Sequence, residues 1–233
     1  MKAVTQEPFY LRHPIPVLYE DEHYMAFNKP AGVLVIPSPE EDKNTLVNIV
    51  NHQYAKGANV PRLFPCHRLD RDTSGVILFA KGKKAQQAMM MVFKQKRVKK
   101  NYIAFVQGHL HRKVGEMRGH IRKLESRRYY REEPENYAIT RYKVTEQRDD
   151  FAIVSVEPVT GRTNQIRIQF SEMGHPLVGD RKYAIARDFA LKFKRSALHA
   201  ASVECINPLT KQRINITCNL PNDMEAFLAR HRN

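Results

Sequence analysis

The run Gly75-Val76-Ile77-Leu78-Phe79-Ala80 is apolar throughout, led by glycine and closed by Lys81-Gly82, the pattern of a strand buried at the centre of a sheet. The segment before it is opposite in character: His67-Arg68-Leu69-Asp70-Arg71-Asp72-Thr73-Ser74 is a charged loop that delivers the chain into that strand. Loops held by a rigid scaffold are where catalytic groups concentrate. Arg68 and Arg71 flank Asp70, and opposite charge nearby favours an ionised carboxylate. The expectation is therefore a lowered pKa and an anion ready to attack or to take a proton. An isolated Arg-Leu-Asp would read instead as an Asx-turn, or as an ion pair that holds the loop.

Around this centre the pattern mixes strands with a few helices. Val17 to Glu20, Tyr24 to Phe27 and Val33 to Ile36 read as short strands in quick succession, an antiparallel start. The spacing of Leu46, Val47, Ile49 and Val50 predicts a helix over 45–54 with Asn44 as its cap. Ala85, Ala88, Met89, Val92 and Phe93 predict a second helix over 83–95, in which Met89-Met90-Met91 fills the core. Asn101 to Gln107 is strand-like, and 137–144 with 151–156 read as a pair joined by Gln147-Arg148-Asp149-Asp150. Between Gly108 and Asn136 the pattern weakens to a charged stretch of strand and surface loop. Thr163 to Met173 stops at Gly174-His175-Pro176 as a short helix would, 203–206 and 213–218 read as a closing hairpin, and Pro221 opens a helix to about Arg230. The class is α+β.

At 233 residues the chain could hold one large or two small domains, and no linker divides it, so a single domain over 1–233 is expected. No apolar run approaches the ~18 residues of a membrane span. The N-terminus has no apolar signal core, so a cytoplasmic protein is expected. Cys66, Cys205 and Cys218 are odd in number and widely spaced, which indicates neither a disulfide framework nor a zinc site. Charge says more: 39 Lys and Arg stand against 24 Asp and Glu, a net +15 whose natural counterpart is a polyanion. The cations cluster at 81–84, at 94–100, at Arg122-Lys123 with Arg127-Arg128, and at 192–195. Tyr102, Tyr129, Tyr130, Tyr137 and Phe193 lie among or near them, and aromatic faces beside cations suit unstacked bases. Lys96, Arg97 and Lys99 are the phosphate-contact candidates of the second cluster. No Gly-x-Gly-x-x-Gly follows a strand, so a dehydrogenase is unsupported.

The whole string from His67 to Gly75 resembles the signature of the RluA-type pseudouridine synthases: His-Arg-Leu-Asp, two variable residues, then Thr-Ser-Gly, with the aspartate essential. Further matches occur in the family's order. They are Asn28-Lys29-Pro30-Ala31-Gly32, the segment from Arg97 to Gly108, Gly161-Arg162-Thr163-Asn164-Gln165-Ile166-Arg167, the segment from Gly174 to Asp180, and Leu198-His199-Ala200. Together they reach from about residue 16 to about residue 220.

The resemblance implies a mixed, mostly antiparallel curved sheet flanked by helices. It also implies isomerisation of a uridine in structured tRNA or rRNA: the bond from N1 to C1′ breaks, the uracil turns, and C5 joins C1′. No cofactor and no metal are needed, and RNA is the partner of a monomer without membrane attachment. Asp70 would be the nucleophile or base, whether it attacks C1′, adds to the ring or abstracts a proton. Arg167 matches an arginine that pairs with the catalytic aspartate, Tyr102 a tyrosine that lies over the target base, and Arg68 a residue that fills the gap left by a flipped nucleotide. Lys29, Arg162 and Leu198 fall in matched motifs on the substrate side, although Lys29-Pro30 reads better as a structural turn beside it. His67 reads as packing or hydrogen-bonding the loop, and His175 and Asp180 as shaping a turn-rich stretch.

Two departures stand out. Many members have histidine where this chain has Asn164 and Gln169; both keep hydrogen-bonding ability without a titratable ring, so tuned RNA contact is expected. Residues 1–16 leave no room for the small RNA-binding domain many relatives carry at this end. The rival readings are a non-catalytic RNA-binding protein or folding factor, and a nuclease whose Asp70 and Asp72 share a divalent ion. Basic neighbours and scarce carboxylates weigh against the nuclease.

Overall fold

A computed structural model describes residues 14–39, 41, 43–54, 61–121, 136–184 and 191–232. The apolar run forms strand β4 (Ser74–Lys81), buried at every position but the last. Before it come β1 (Val17–Glu20), β2 (Tyr24–Lys29), helix α1 (Leu46–Tyr54) and β3 (Leu63–Pro65). After it come α2 (Lys83–Lys94), β5 (Lys99–Gln107), β6 (Val114–His120), β7 (Tyr137–Gln147), β8 (Phe151–Pro158) and α3 (Gln165–Glu172). The described chain closes with β9 (Leu198–Ile206), β10 (Arg213–Thr217) and α4 (Asn222–Arg230).

The strands make one mixed sheet in the order β1-β2-β4-β9-β5-β8-β7-β6, with β3 beside β4 and β10 beside β9. Two antiparallel halves meet at its middle. The seam is a parallel pairing of β4 with β9 through two residue pairs, Ser74 with His199 and Gly75 with Ala200. Gly75 has φ +109°, and a Cβ there would lie 2.2 Å from the Ala200 carbonyl oxygen, so the close approach admits glycine alone. That requirement explains the last residue of the signature.

Alternation along the strands sends side chains to both faces, and both are covered, which is why β4 reads as unbroken hydrophobicity. Met25, Phe27, Ile77 and Phe79 join Tyr102, Val154, Val156, Leu46 and Phe170 in a cluster under α1 and α3. Tyr24, Ala26, Val76 and Leu78 pack on the opposite face with Ala85 and Met89 of α2. Phe105, Phe151 and Ile153 meet Met224 and Phe227 of α4. Each Val, Leu, Ile, Phe or Met side chain among them contributes about 1.5–3 kcal/mol when fully buried.

Two local expectations are corrected, and a third gains its place in the sheet. Val33 to Ile36 is not a sheet strand: Val33 and Val35 are buried in the core while the carbonyls of Leu34 and Val35 accept the Leu46 and Val47 N–H groups at 2.7 and 3.1 Å. Those bonds open α1 in place of the expected Asn44 side chain. The stretch after Gly108 contains β6, paired in register with β7 from Val114–Lys143 to His120–Tyr137. Among the described residues no helix is long and apolar enough to cross a membrane.

Candidate active site

Asp70 lies in the loop between β3 and β4, where the Thr73 N–H closes a turn onto its carbonyl at 3.1 Å. Two buried cations hold that loop. Lys29 Nζ donates to the carbonyls of Pro30, Arg71 and Thr73 at 2.9, 2.8 and 2.8 Å, a set of acceptors that matches the three donors of an ammonium. From the far end Arg195 Nη1 donates to the Asp72 carbonyl at 2.9 Å, while its guanidinium forks onto Asp223 at 2.7 and 3.0 Å. Burial pushes the Lys29 pKa down to about 7. Lys29 therefore sits under the loop, in the structural role, with no surface toward substrate.

Above the loop opens a cleft of about 540 Å³ whose lining includes Asp70, Tyr102, Leu198, Arg68, Arg162 and Lys96. Tyr102 comes from β5 opposite Ala200, and Leu198 begins β9, so the seam itself brings these three elements to Asp70. Burial is the largest influence on Asp70 and raises its pKa above the usual carboxylate value; Arg167, Lys29 and Arg68 pull downward, and so does an Asn164 backbone N–H bond, without cancelling it. The expected lowered pKa is thus overturned, because desolvation outweighs the neighbouring charge. Arg71 instead pairs with Glu41 at 2.9 Å. Burial, reinforced by the Asp70 charge, also raises the Tyr102 pKa, so the phenol keeps its proton at neutral pH.

His67 is neutral. Its Nε2 accepts the Leu78 N–H at 3.0 Å, its ring stacks on Phe93 at 4.8 Å, and burial drives its pKa down to about 3. It packs and holds the loop.

Arg167 does not hydrogen-bond Asp70, contrary to the expected pairing. It forks onto Asp180 at 2.5 and 2.9 Å and donates to Asn164 Oδ1 at 3.0 Å, leaving Asp70 only its longer-range attraction. Burial opposes the Asp180 charge, yet the Arg167 bonds and charge together with the Tyr183 and Lys182 N–H groups outweigh it and hold that carboxyl below its usual range. Asn164 takes the left-handed conformation, φ 54°, which asparagine tolerates, and donates to the Tyr183 hydroxyl at 2.9 Å. Gln169 is buried against Thr140, its Oε1 accepting the hydroxyl at 2.6 Å, so it braces β7 and touches no solvent-facing surface. The expected RNA contact at Gln169 is therefore corrected.

The basic cluster 94–100 divides. Lys94, Lys96 and Lys100 line the cleft, whereas Lys99 lines a different hollow beside Glu116 and Glu204, and exposed Arg97 lines neither. Arg122, Lys123, Arg127, Arg128, Tyr129 and Tyr130 lie outside the described residues. Sequence reasoning reached Lys100 and Arg195 only as members of basic clusters, Asn164 only as a tuned RNA contact and Asp180 only as a shaper of its turn, and named none of the four among the candidate site residues. For Asn164 and Asp180 the signal was their place in matched motifs; for Arg195 nothing pointed to its partner, since Asp72 lies 123 residues away. Among the described residues no group of three His, Cys, Asp or Glu side chains is placed to hold a metal ion.

A family model described as RNA pseudouridylate synthase matches residues 23–172. The uncharacterized RNA pseudouridine synthase YhcT of Bacillus subtilis is 34% identical over 217 residues, covering 91% of this chain and 70% of the relative. Ribosomal large subunit pseudouridine synthase D of Xylella fastidiosa is 34% identical over 233 residues, covering 93% and 69%. Among solved structures, human RNA pseudouridylate synthase domain containing 1 matches with a TM-score of 0.74 at 24% identity over 92% of this chain and 86% of that one, a likeness of fold.

Proposed function

The chain belongs to the RNA pseudouridylate synthase family, in its RluA branch, and from that premise we propose that it isomerises a particular uridine of large-subunit ribosomal RNA with Asp70 as the acting group. That it is an RNA pseudouridine synthase, an isomerase, follows from the family; the choice of RNA and the roles below are our reading. The name of the Xylella fastidiosa relative supports ribosomal over transfer RNA.

One observation carries the reading: a carboxylate with a raised pKa, in a cleft walled by Tyr102 and Leu198 and rimmed by Arg68, Lys96 and Arg162. A carboxylate stabilised less well than in water is the stronger nucleophile and base. The apolar wall accommodates a uracil taken out of its stack, and the rim cations suit the strand that carries it. Formation of the C5–C1′ bond leaves a proton on C5 that must depart. Burial first, and the Asp70 anion second, hold the Tyr102 proton in place. The phenol can relay the C5 proton only by taking it while passing its own hydroxyl proton on, and the Asp70 carboxylate, freed again as an anion after the C5–C1′ bond has formed, is the acceptor that shares the cleft with it. The same reading takes 1–233 as one catalytic unit that works as a monomer without cofactor.

Pseudouridine mapping in rRNA and tRNA from cells with and without the gene tests it. One or a few large-subunit positions should lose the modification and regain it with the wild-type gene but not with Asp70→Asn. Loss confined to tRNA would refute the ribosomal assignment, and rescue by Asp70→Asn would refute the role of Asp70.

A further inference from the structure

Asp70 borders two depressions. Besides the cleft containing Tyr102, a second hollow of about 460 Å³ opens beside the loop, and the two share Arg68, Leu69, Asp70 and Asn164. They differ in chemistry. The cleft has apolar walls at Leu198, Ile166 and Val159, whereas the lining of the hollow has seven Lys and Arg against two carboxylates, Asp70 and Asp72. A third hollow, beyond β5 around Lys99 and Lys143, has three cations and three carboxylates and no such bias.

Part of the positive charge beside Asp70 is already neutralised. Arg167 is forked onto Asp180, Arg195 onto Asp223, and Arg71 pairs with Glu41. Arg68, Arg181 and Lys194 are exposed and form no ion pair among the described residues. Three unpaired cations converge on a site that already contains an anion, and a second anion can enter there only because they are present. On the function proposed above, with Asp70 as the acting group, the reacting nucleotide lies at the boundary between the two depressions, which Asp70 lines on both sides.

We propose that this hollow is a phosphate subsite, in which Arg68, Arg181 and Lys194 bind the backbone phosphates of the RNA strand adjoining the target nucleotide. It rests on the reading of the chain as an enzyme acting on RNA. Its role is to fix the strand's register over Asp70, the part that phosphate contacts play when base contacts carry the identity of the site.

The test is the salt dependence of binding to a labelled ten-nucleotide oligouridylate, measured from low to moderate KCl. For the exposed pair Arg181→Gln with Lys194→Gln, the slope of log affinity against log salt should become shallower by about 1.4, from about 0.7 per lost single-strand contact. The same change at Lys99 and Lys143, on the balanced hollow, should leave the slope at its wild-type value. An oligouridylate with uncharged methylphosphonate linkages should bind wild type and variant alike. An unchanged slope in the Arg181 and Lys194 variant overturns the proposal, as does an equal fall at Lys99 and Lys143, a defect that persists on the uncharged strand, or wild-type binding without salt dependence. Turnover is not read here, so a failure to form pseudouridine and a failure of this subsite register separately.

Discussion

Arg167 draws both carboxyls downward, but only Asp180 receives its hydrogen bonds; at Asp70 burial outweighs the longer-range attraction that remains. The consequence for Asp70 is a pKa above that of an unfolded chain, so between the unfolded and folded values the native state binds more protons and stability falls as pH rises. Asp70→Asn should therefore abolish turnover and raise the thermal midpoint at pH 7, with the gain over wild type shrinking as pH falls toward the ordinary aspartate range. A mutant that melts below wild type at pH 7 would show that the carboxylate stabilises the fold. The rate should have an acid limb set by the same group: kcat/KM is lost as pH drops through the raised pKa. Arg167→Lys keeps a charge but not the planar fork, so the limb should move to higher pH with partial activity. A limb that stays in place would remove Arg167 from the electrostatics of Asp70.

The elements that sequence made legible were those with one dominant period. β4 announced itself as an unbroken apolar run, α2 by helical spacing, and β7 and β8 by the polar turn between them. Val33 to Ile36 misled because alternation records burial, not pairing: its side chains enter the core while its carbonyls serve α1. β6 was unreadable because its residues alternate between exposed and partly buried, with no apolar face to betray them. At the site, Asp70, Tyr102 and Leu198 could be named in advance, but the partners of Arg167 could not, since which carboxylate a guanidinium reaches is a property of the folded turn at 179–183. The seam has its own test. Gly75→Ala places a methyl against the Ala200 carbonyl in a conformation unsuited to alanine, and should destabilise by about 3 kcal/mol in urea titration. An effect under about 1 kcal/mol would mean the two half-sheets can separate there without strain.

On the scale of the whole molecule, a net charge of +15 attracts any nucleic acid, and selection must come from where unpaired cations stand relative to Asp70. A mononucleotide can enter the cleft but has no neighbouring phosphates to engage, so UMP should remain unconverted by protein that modifies large-subunit transcripts; conversion of both at similar rates would make the basic surface incidental. The seam also bears on when the enzyme can first work. Ser74 meets His199 across 125 residues, and the Asp72 carbonyl waits for Arg195 from 123 residues later. Contacts that distant form late in folding, and on the ribosome they cannot form before that part of the chain is made. A growing polypeptide stopped after residue 190 already carries Asp70, Tyr102, Arg167 and Asp180, yet it should neither isomerise uridine nor melt cooperatively. Activity should arrive in a single step as β9 is added, so that a half-made enzyme emerging amid ribosomal RNA stays inert toward it.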